Sequence, residues 1–369
     1  MRIWLFQLAI IAAGCTGAWA QSPSSERAPQ AAPMPASLEW ESHSRLEYNQ
    51  AANYWKAQTE ANRLNEEAWL QYYKAKRANF LLADGAIPNK KNQQVLDEII
   101  GHMANAVPTG FAFNYSNYVN GNRSDESFQY LKAALQLRPG ATDLWDDMLC
   151  DAVLSEDDAS LKKWVQKINE ARLFSWAEIE YNRNVLNSVE QNGILITNGN
   201  VDTSPLYMLQ SEGFRTDVII VCLDWLGSNR YKHLLDAKLK IKPGVVRTND
   251  RSGTFAGLMT LAKTRAVYTS LTVPKSLMQD YTSQLYCTGL ALKYSAQAIN
   301  NVLSLVYNWE SLFQKNYWES NEAITRNYIV PANLLLGYYE QKGDQIKAAE
   351  IKQFIALKKA IAIPPYTQR

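Results

Sequence analysis

The stretch from Gly193 to Leu226, GILITNGNVDTSPLYMLQSEGFRTDVIIVCLDWL, constrains the fold more than any other part of this chain. Ile194-Leu195-Ile196 and Val218-Ile219-Ile220-Val221 are unbroken apolar runs, the pattern of strands covered on both faces of a parallel sheet. Between them Ser204-Pro205 predicts a helix start, with Ser as N-cap and Pro at the first helical position. Gly213 predicts its end. Two buried strands joined by a short helix imply a right-handed crossover and parallel pairing. Ligands usually sit at the carboxyl edge of such a sheet.

That edge holds the candidate binding residues Asn198, Asp202, Thr203 and Ser204, with Asp224 at the end of the second strand. A strand end followed by a helix N-terminus offers free backbone N–H groups and a partial positive charge, which suits a phosphate, a carboxylate or a sugar hydroxyl. The competing role is structural. Asp202 and Thr203 make an Asx-type turn and cap the helix, and Asn198-Gly199 supplies a tight turn. No catalytic set accompanies them. There is no G-x-S-x-G elbow or Walker-type loop, and His43, His102 and His233 lie far apart without metal-ligand spacing. No cofactor, metal or catalytic residue is expected. Asp146-Asp147 and Glu156-Asp157-Asp158 read as solvated charge runs or N-caps beside helices.

Residues 38–190 are predicted to be helical throughout, rich in Ala, Leu, Glu, Lys and Gln. Tyr54-Trp55-Lys56-Ala57 recurs as Tyr130-Leu131-Lys132-Ala133, each followed at the same distance by a tryptophan, Trp69 and Trp145. Both copies have the cast of a tetratricopeptide helix pair. The aromatic, Asn-rich segment Phe111–Asn122 between them reads as a packed connector, with glycan contact through stacked Tyr and Phe as the alternative. Two copies alone cannot bury a continuous core, so the arm is expected to dock on the α/β domain or on the C-terminal hairpin.

The α/β domain is expected over 191–295, as a small Rossmann-like unit with a mostly parallel sheet. Further strands are predicted at Ala266–Val273 and Leu285–Tyr294, with Pro274–Ser283 turning the chain between them. Asn249–Gly253 reads as a loop and Thr254–Lys263 as a helix. Residues 296–369 are expected to be helical, with a hairpin of Asn333–Gln341 and Gln345–Ile363 split by Gly343-Asp344 and ended by Pro364-Pro365.

Residues 1–20 read as a secretory signal, with Arg2, an apolar core and Ala18-Trp19-Ala20 as cleavage site. A lipoprotein alternative rests on Cys15 in a poor lipidation box. Residues 21–37 are rich in Pro, Ala and Ser and read as a disordered linker. The formal charge of +2 gives no electrostatic case for nucleic acid. No later segment reaches membrane-spanning length without charge. Cys150, Cys222 and Cys287 do not form a disulfide framework and read as buried thiols.

The segments YNRNVLNSVEQNGILITNGNVDTSPLYMLQSEGFRTDVIIVCLDWL, RAVYTSLTV, LYCTGLALKY and TRNYIVPANLLLGYYEQKGDQIKAAEI occur in that order over Tyr181 to Pro364. This half of the chain resembles the soluble C-terminal region of bacterial multi-spanning membrane proteins related to protein O-mannosyltransferases. The resemblance implies an α/β domain joined to tetratricopeptide-like helices, and fold more than activity. The transferase part is absent, so its chemistry does not carry over. The family's loop usually reads T-N-G-D-N-D-T, where this chain has Thr197-Asn198-Gly199-Asn200-Val201-Asp202-Thr203. A role needing two carboxylates in that loop does not carry over either.

Two functions follow as expectations. The first is a non-catalytic scaffold or binding protein of a gram-negative envelope, periplasmic or outer-membrane-associated, which holds a protein or peptide partner on its tetratricopeptide-like helices. The second is a glycan-binding or accessory protein of envelope glycosylation, acting through the Asn198–Ser204 loop.

Overall fold

The computed structural model describes residues 44–84, 88–241, 244–316 and 318–360. The predicted signal and linker, Cys15, His43, the final residues of the last helix and Pro364-Pro365 lie outside them. The described chain opens with helices α1 (Arg45–Ala61), α2 (Glu66–Asp84), α3 (Lys90–Ala106), α4 (Phe111–Asn120), α5 (Ser127–Leu137), α6 (Trp145–Leu154), α7 (Asp158–Ala171) and α8 (Trp176–Asn187). Local sequence starts them. Ser44 with Glu47 and Ser175 with Glu178 form reciprocal capping boxes, and Asn89 and Asp157 cap α3 and α7.

The helices stack in pairs, α1 on α2, α4 on α5 and α6 on α7, with α3 and α4 bridging to α2. The sequence repeat has a structural counterpart. Trp69 Nε1 donates to the Arg63 carbonyl at 2.8 Å and Trp145 Nε1 to the Pro139 carbonyl at 3.4 Å, the same six-residue reach back across the inter-helix turn. The segment expected to be a connector is helix α4 instead. Phe111, Tyr115 and Tyr118 fall on one face and are buried. Asn114 and Asn117, residues that commonly compete with helices, donate to the carbonyls of Gly110 and Phe113 one turn earlier.

The α/β part runs β1 (Ile194–Thr197), α9 (Asn200–Ser211), β2 (Ile219–Cys222), α10 (Asn229–Leu239), α11 (Arg251–Met259), β3 (Val267–Ser270), α12 (Lys275–Met278), β4 (Leu285–Cys287) and β5 (Ala291–Tyr294). The strand order is β2-β1-β3-β5-β4. β1 is central and parallel to both β2 and β3, with Ile194 opposite Ile219 and Val267. All four of its residues are buried, as the apolar run predicted. β5 and β4 complete a mixed sheet as an antiparallel hairpin on β3.

Three expected elements are corrected. The single strand Leu285–Tyr294 is two strands around a turn at 288–290. There Leu290 N donates to Ser188 Oγ at 2.8 Å, and a Cβ on Gly289 would sit 2.3 Å from that oxygen. The turn thus needs glycine and is anchored by α8. The helix expected to begin at Ser204-Pro205 begins one turn earlier, at Asn200, and Pro205 lies inside it. Its ending is as predicted, with Gly213 at φ +90°. The Asn249–Gly253 loop shrinks, because Asp250 accepts from Gly253 N at 2.7 Å and starts α11 at Arg251.

The described chain ends with α13 (Val302–Tyr307), α14 (Ile329–Lys342) and α15 (Gln345–Ala360). α14 and α15 form the predicted hairpin around Gly343, at φ +75°. Helix α8 is tied to this region by buried Asn184, which bonds the Gln314 backbone in both directions. The helical arm docks on the α/β domain, as expected. Arg230 of α10 meets Asp125 at 3.2 Å and Asp151 at 3.0 Å. Among the described residues no helix is long and apolar enough to cross a membrane.

Candidate functional site

At the carboxyl end of β1 the chain turns sharply into α9, and the turn is closed from within. Asp202 accepts from the backbone N–H groups of Asn198 at 3.0 Å and Gly199 at 2.9 Å. Thr272, just beyond β3, donates its hydroxyl to the same carboxylate. The ends of β1 and β3 are thereby drawn together on the first turn of α9. Burial raises the Asp202 carboxyl above its ordinary value, against the pull of these donors. Thr203 Oγ1 lies 2.7 Å from Thr197 Oγ1, and both are fully buried. The Ser204 hydroxyl is also buried and has no hydrogen-bond partner among the described residues.

Asn198 and Asp224 are half-buried at this edge. Asp224 N donates to the Asn198 carbonyl at 3.1 Å, and a Cβ on Gly199 would sit 2.7 Å from the Asp224 carboxylate. The Asp224 side chain pairs with Arg251 at the start of α11. Asn198 Oδ1 is buried and unpartnered among the described residues. The five expected residues therefore share one edge, but they divide. Asp202, Thr203 and Ser204 are buried, while Asn198 and Asp224 are half-buried.

The expectation for Asp146-Asp147 is corrected. These residues are not a solvated run; they meet the loop. Asn200 Nδ2 donates to Asp146 Oδ2 at 2.8 Å and to Asp147 Oδ1 at 3.0 Å. Arg123 pairs with buried Asp147 at 2.9 Å. Trp225 Nε1, fully buried, donates to Asn200 Oδ1 at 2.9 Å. An aspartate at 200, as in the resembling loop, would put a third carboxylate against two; an amide supplies the donor these two need. The adjacency of Asp146 and Asp147 was visible in the sequence, but Asn200 lies 53 and 54 residues later and Arg123 lies 24 residues before Asp147, so neither left a local signal.

Asp157 behaves as the expected N-cap, accepting from Ser160 N at 3.0 Å. With Glu156, Lys162, Lys238 and Tyr207 it borders a pocket of about 340 Å³ at the far end of α9 from the loop. The three later cysteines are free and buried, and burial pushes the Cys222 thiol up to about 12. Among the described residues no three His, Cys, Asp or Glu side chains converge to hold a metal.

Replacing Asp202 with alanine would leave two backbone donors and the Thr272 hydroxyl without their acceptor. The expected loss is about 2–3 kcal/mol, the sum of a lost cap and unmet buried donors. Urea denaturation checks it; a midpoint unchanged from wild type would show that the loop closes without this carboxylate.

Residues 178–244, from α8 through β1, α9 and β2 to the end of α10, match the family model described as TMEM260-associated domain 2. No curated protein and no solved structure matches the chain.

Proposed function

We propose that this chain is a non-catalytic binding protein that holds a protein partner on its helical surface. The observation that carries this reading is the exposure of large apolar side chains on two touching helices. Leu303 and Tyr307 lie one turn apart on α13, and Val330 and Leu334 one turn apart on α14. α13 packs against α14. Exposed apolar residues repeated at helical spacing suit an apolar face of a partner segment, in the manner of helix-in-groove recognition. The inward-facing Asp202 and Thr203 support the same conclusion, since their hydrogen bonds already close the loop.

The predicted signal motivates an exported, periplasmic or outer-membrane-associated location, with lipidation at Cys15 as the alternative anchor. A second reading, glycan binding at the sheet edge, is favoured by the unpartnered Asn198 Oδ1 beside the Asp224–Arg251 pair. The resemblance to relatives of protein O-mannosyltransferases also agrees with it.

A photo-cross-linking residue in place of Tyr307, in cells, tests the first reading. A discrete protein adduct is expected, reduced at least about tenfold by Leu334→Glu, because burying a charge costs the apolar contact several kcal/mol. The melting temperature of Leu334→Glu should stay near wild type, since the side chain is already in water. Absence of an adduct, together with glycan retention that Asn198→Ala abolishes, would favour the second reading instead.

A further inference from the structure

The pocket of about 340 Å³ lies between the turn from α6 to α7 and the far ends of α9 and α10. Its apolar part is Ala152 and Val153 of α6, half-buried Leu161 of α7 and the buried ring of Tyr207. Four exposed charges stand around it, Glu156 and Asp158 at the turn, Lys162 on α7 and Lys238 near the end of α10. Among the described residues none of the four has an opposite charge at ion-pair distance. Neighbouring charges do pair, Arg230 with Asp125 and Asp151, Lys132 with Asp151, and Lys232 with Asp236. Asp158 and Lys162 stand one turn apart in the order that favours a helical ion pair, yet both are left to the pocket. Asp157, between the two acids, is spent on capping Ser160 N.

We propose that this pocket binds a small zwitterion with an apolar side chain, a free α-amino acid of about the size of phenylalanine. The space equals about eleven waters at ~30 Å³ each, room for one such molecule. Its side chain lies on Val153, Leu161 and Tyr207, where a ring adds aromatic contact to burial. Its carboxylate meets Lys162 and Lys238, and its ammonium meets Glu156 and Asp158, through charge-assisted hydrogen bonds. A phosphate would face the two acids as well as the lysines, and a neutral sugar would leave all four charges unused. The site lies on other helices than the apolar face of α13 and α14 and needs no protein partner there.

The test titrates millimolar L-phenylalanine into the full-length protein and follows backbone amide shifts. They are expected at residues 152–162, 207–211 and 238. Phenethylamine, which lacks the carboxylate, and hydrocinnamate, which lacks the ammonium, should each bind about fivefold more weakly, the modest worth of a charge pair at an exposed rim. Lys162→Met combined with Lys238→Met should weaken phenylalanine by a similar factor and leave phenethylamine unchanged. Glu156→Gln combined with Asp158→Asn should weaken phenylalanine and leave hydrocinnamate unchanged. All four side chains are exposed and unpaired, so both double variants should keep the wild-type melting temperature. Absence of shifts at these residues, or equal affinity for the three compounds, would overturn the proposal. Should a double variant fail to fold, the three compounds on wild type decide alone.

Discussion

Replacing Gly227 with alanine is expected to cost at least about 3 kcal/mol, the upper end of the range for overpacking a well-packed site. Gly227 is buried in the 3-10 turn after β2, against the turn that joins α4 to α5. An added Cβ would lie 1.9 Å from the Asn122 carbonyl oxygen and 3.1 Å from its carbon. Both obstacles are backbone, so no side chain can swing aside. The opposing turn cannot yield cheaply either. Asn122 and Arg123 both hold left-handed φ angles, 47° and 56°, a conformation already costly for residues with side chains. Arg123 is further fixed by its pair with Asp147. Thermal unfolding should show a large drop, and limited proteolysis should open the arm near 121–126. Gly101→Ala is the control, because this mid-helix glycine has nothing within 4 Å of an added Cβ. It should gain up to about 1 kcal/mol from helix propensity. Equal behaviour of the two variants would show that Gly227 is not a close-approach position.

The second large effect is expected at Trp225. Its ring is fully buried, stacked on Tyr207 at 5.4 Å and edge-on to Tyr231 at 5.5 Å. Its N–H holds the amide of Asn200 that faces Asp146 and Asp147. Truncation to alanine removes both the packing and the donor. The expected loss is about 4–5 kcal/mol, from a large aromatic cavity and an orphaned amide oxygen. Trp225→Phe separates the two contributions, keeping most of the packing and losing the hydrogen bond. It should cost about 1–2 kcal/mol more than a mere change of shape, the cost of the unmet acceptor. Urea denaturation of both variants gives the values. If alanine and phenylalanine cost the same, the ring's packing contributes nothing measurable and the stability lies in the hydrogen bond alone.

Gly227 and Trp225 also show why the junction was hard to read in advance. Trp225 lies in the most legible stretch of the chain and Gly227 directly follows it, and the strand ending at Cys222 was predicted from its apolar run. Nothing local marks Gly227 as a contact, because the backbone it touches is a hundred residues earlier. The same holds for Asp146-Asp147, which locally resemble any acidic first turn of a helix.

Elements with a strong local cause were legible. The unbroken apolar runs dictated buried strands, and the helix between them dictated parallel pairing, since a chain of that length returns to the same edge by only one hand of crossover. Gly213 and Gly343 marked helix ends because they adopt left-handed backbone at little cost. The repeat at Trp69 and Trp145 marked helix pairs. Helix α4 escaped because its asparagines outweighed an aromatic face that only burial makes decisive. The start of α9 shifted from Ser204 to Asn200 because Asp202 could reach back to two free N–H groups, a choice among competing caps that sequence leaves open. The sequence by itself determined most of the elements and their order, since periodicity and backbone preference act within a few residues. Only the tertiary structure decided which carboxylates are buried, which glycine bears a neighbouring backbone, and where two acids meet one amide. Those outcomes depend on removing distant groups from water together, and that desolvation exists only once the arm and the sheet are packed.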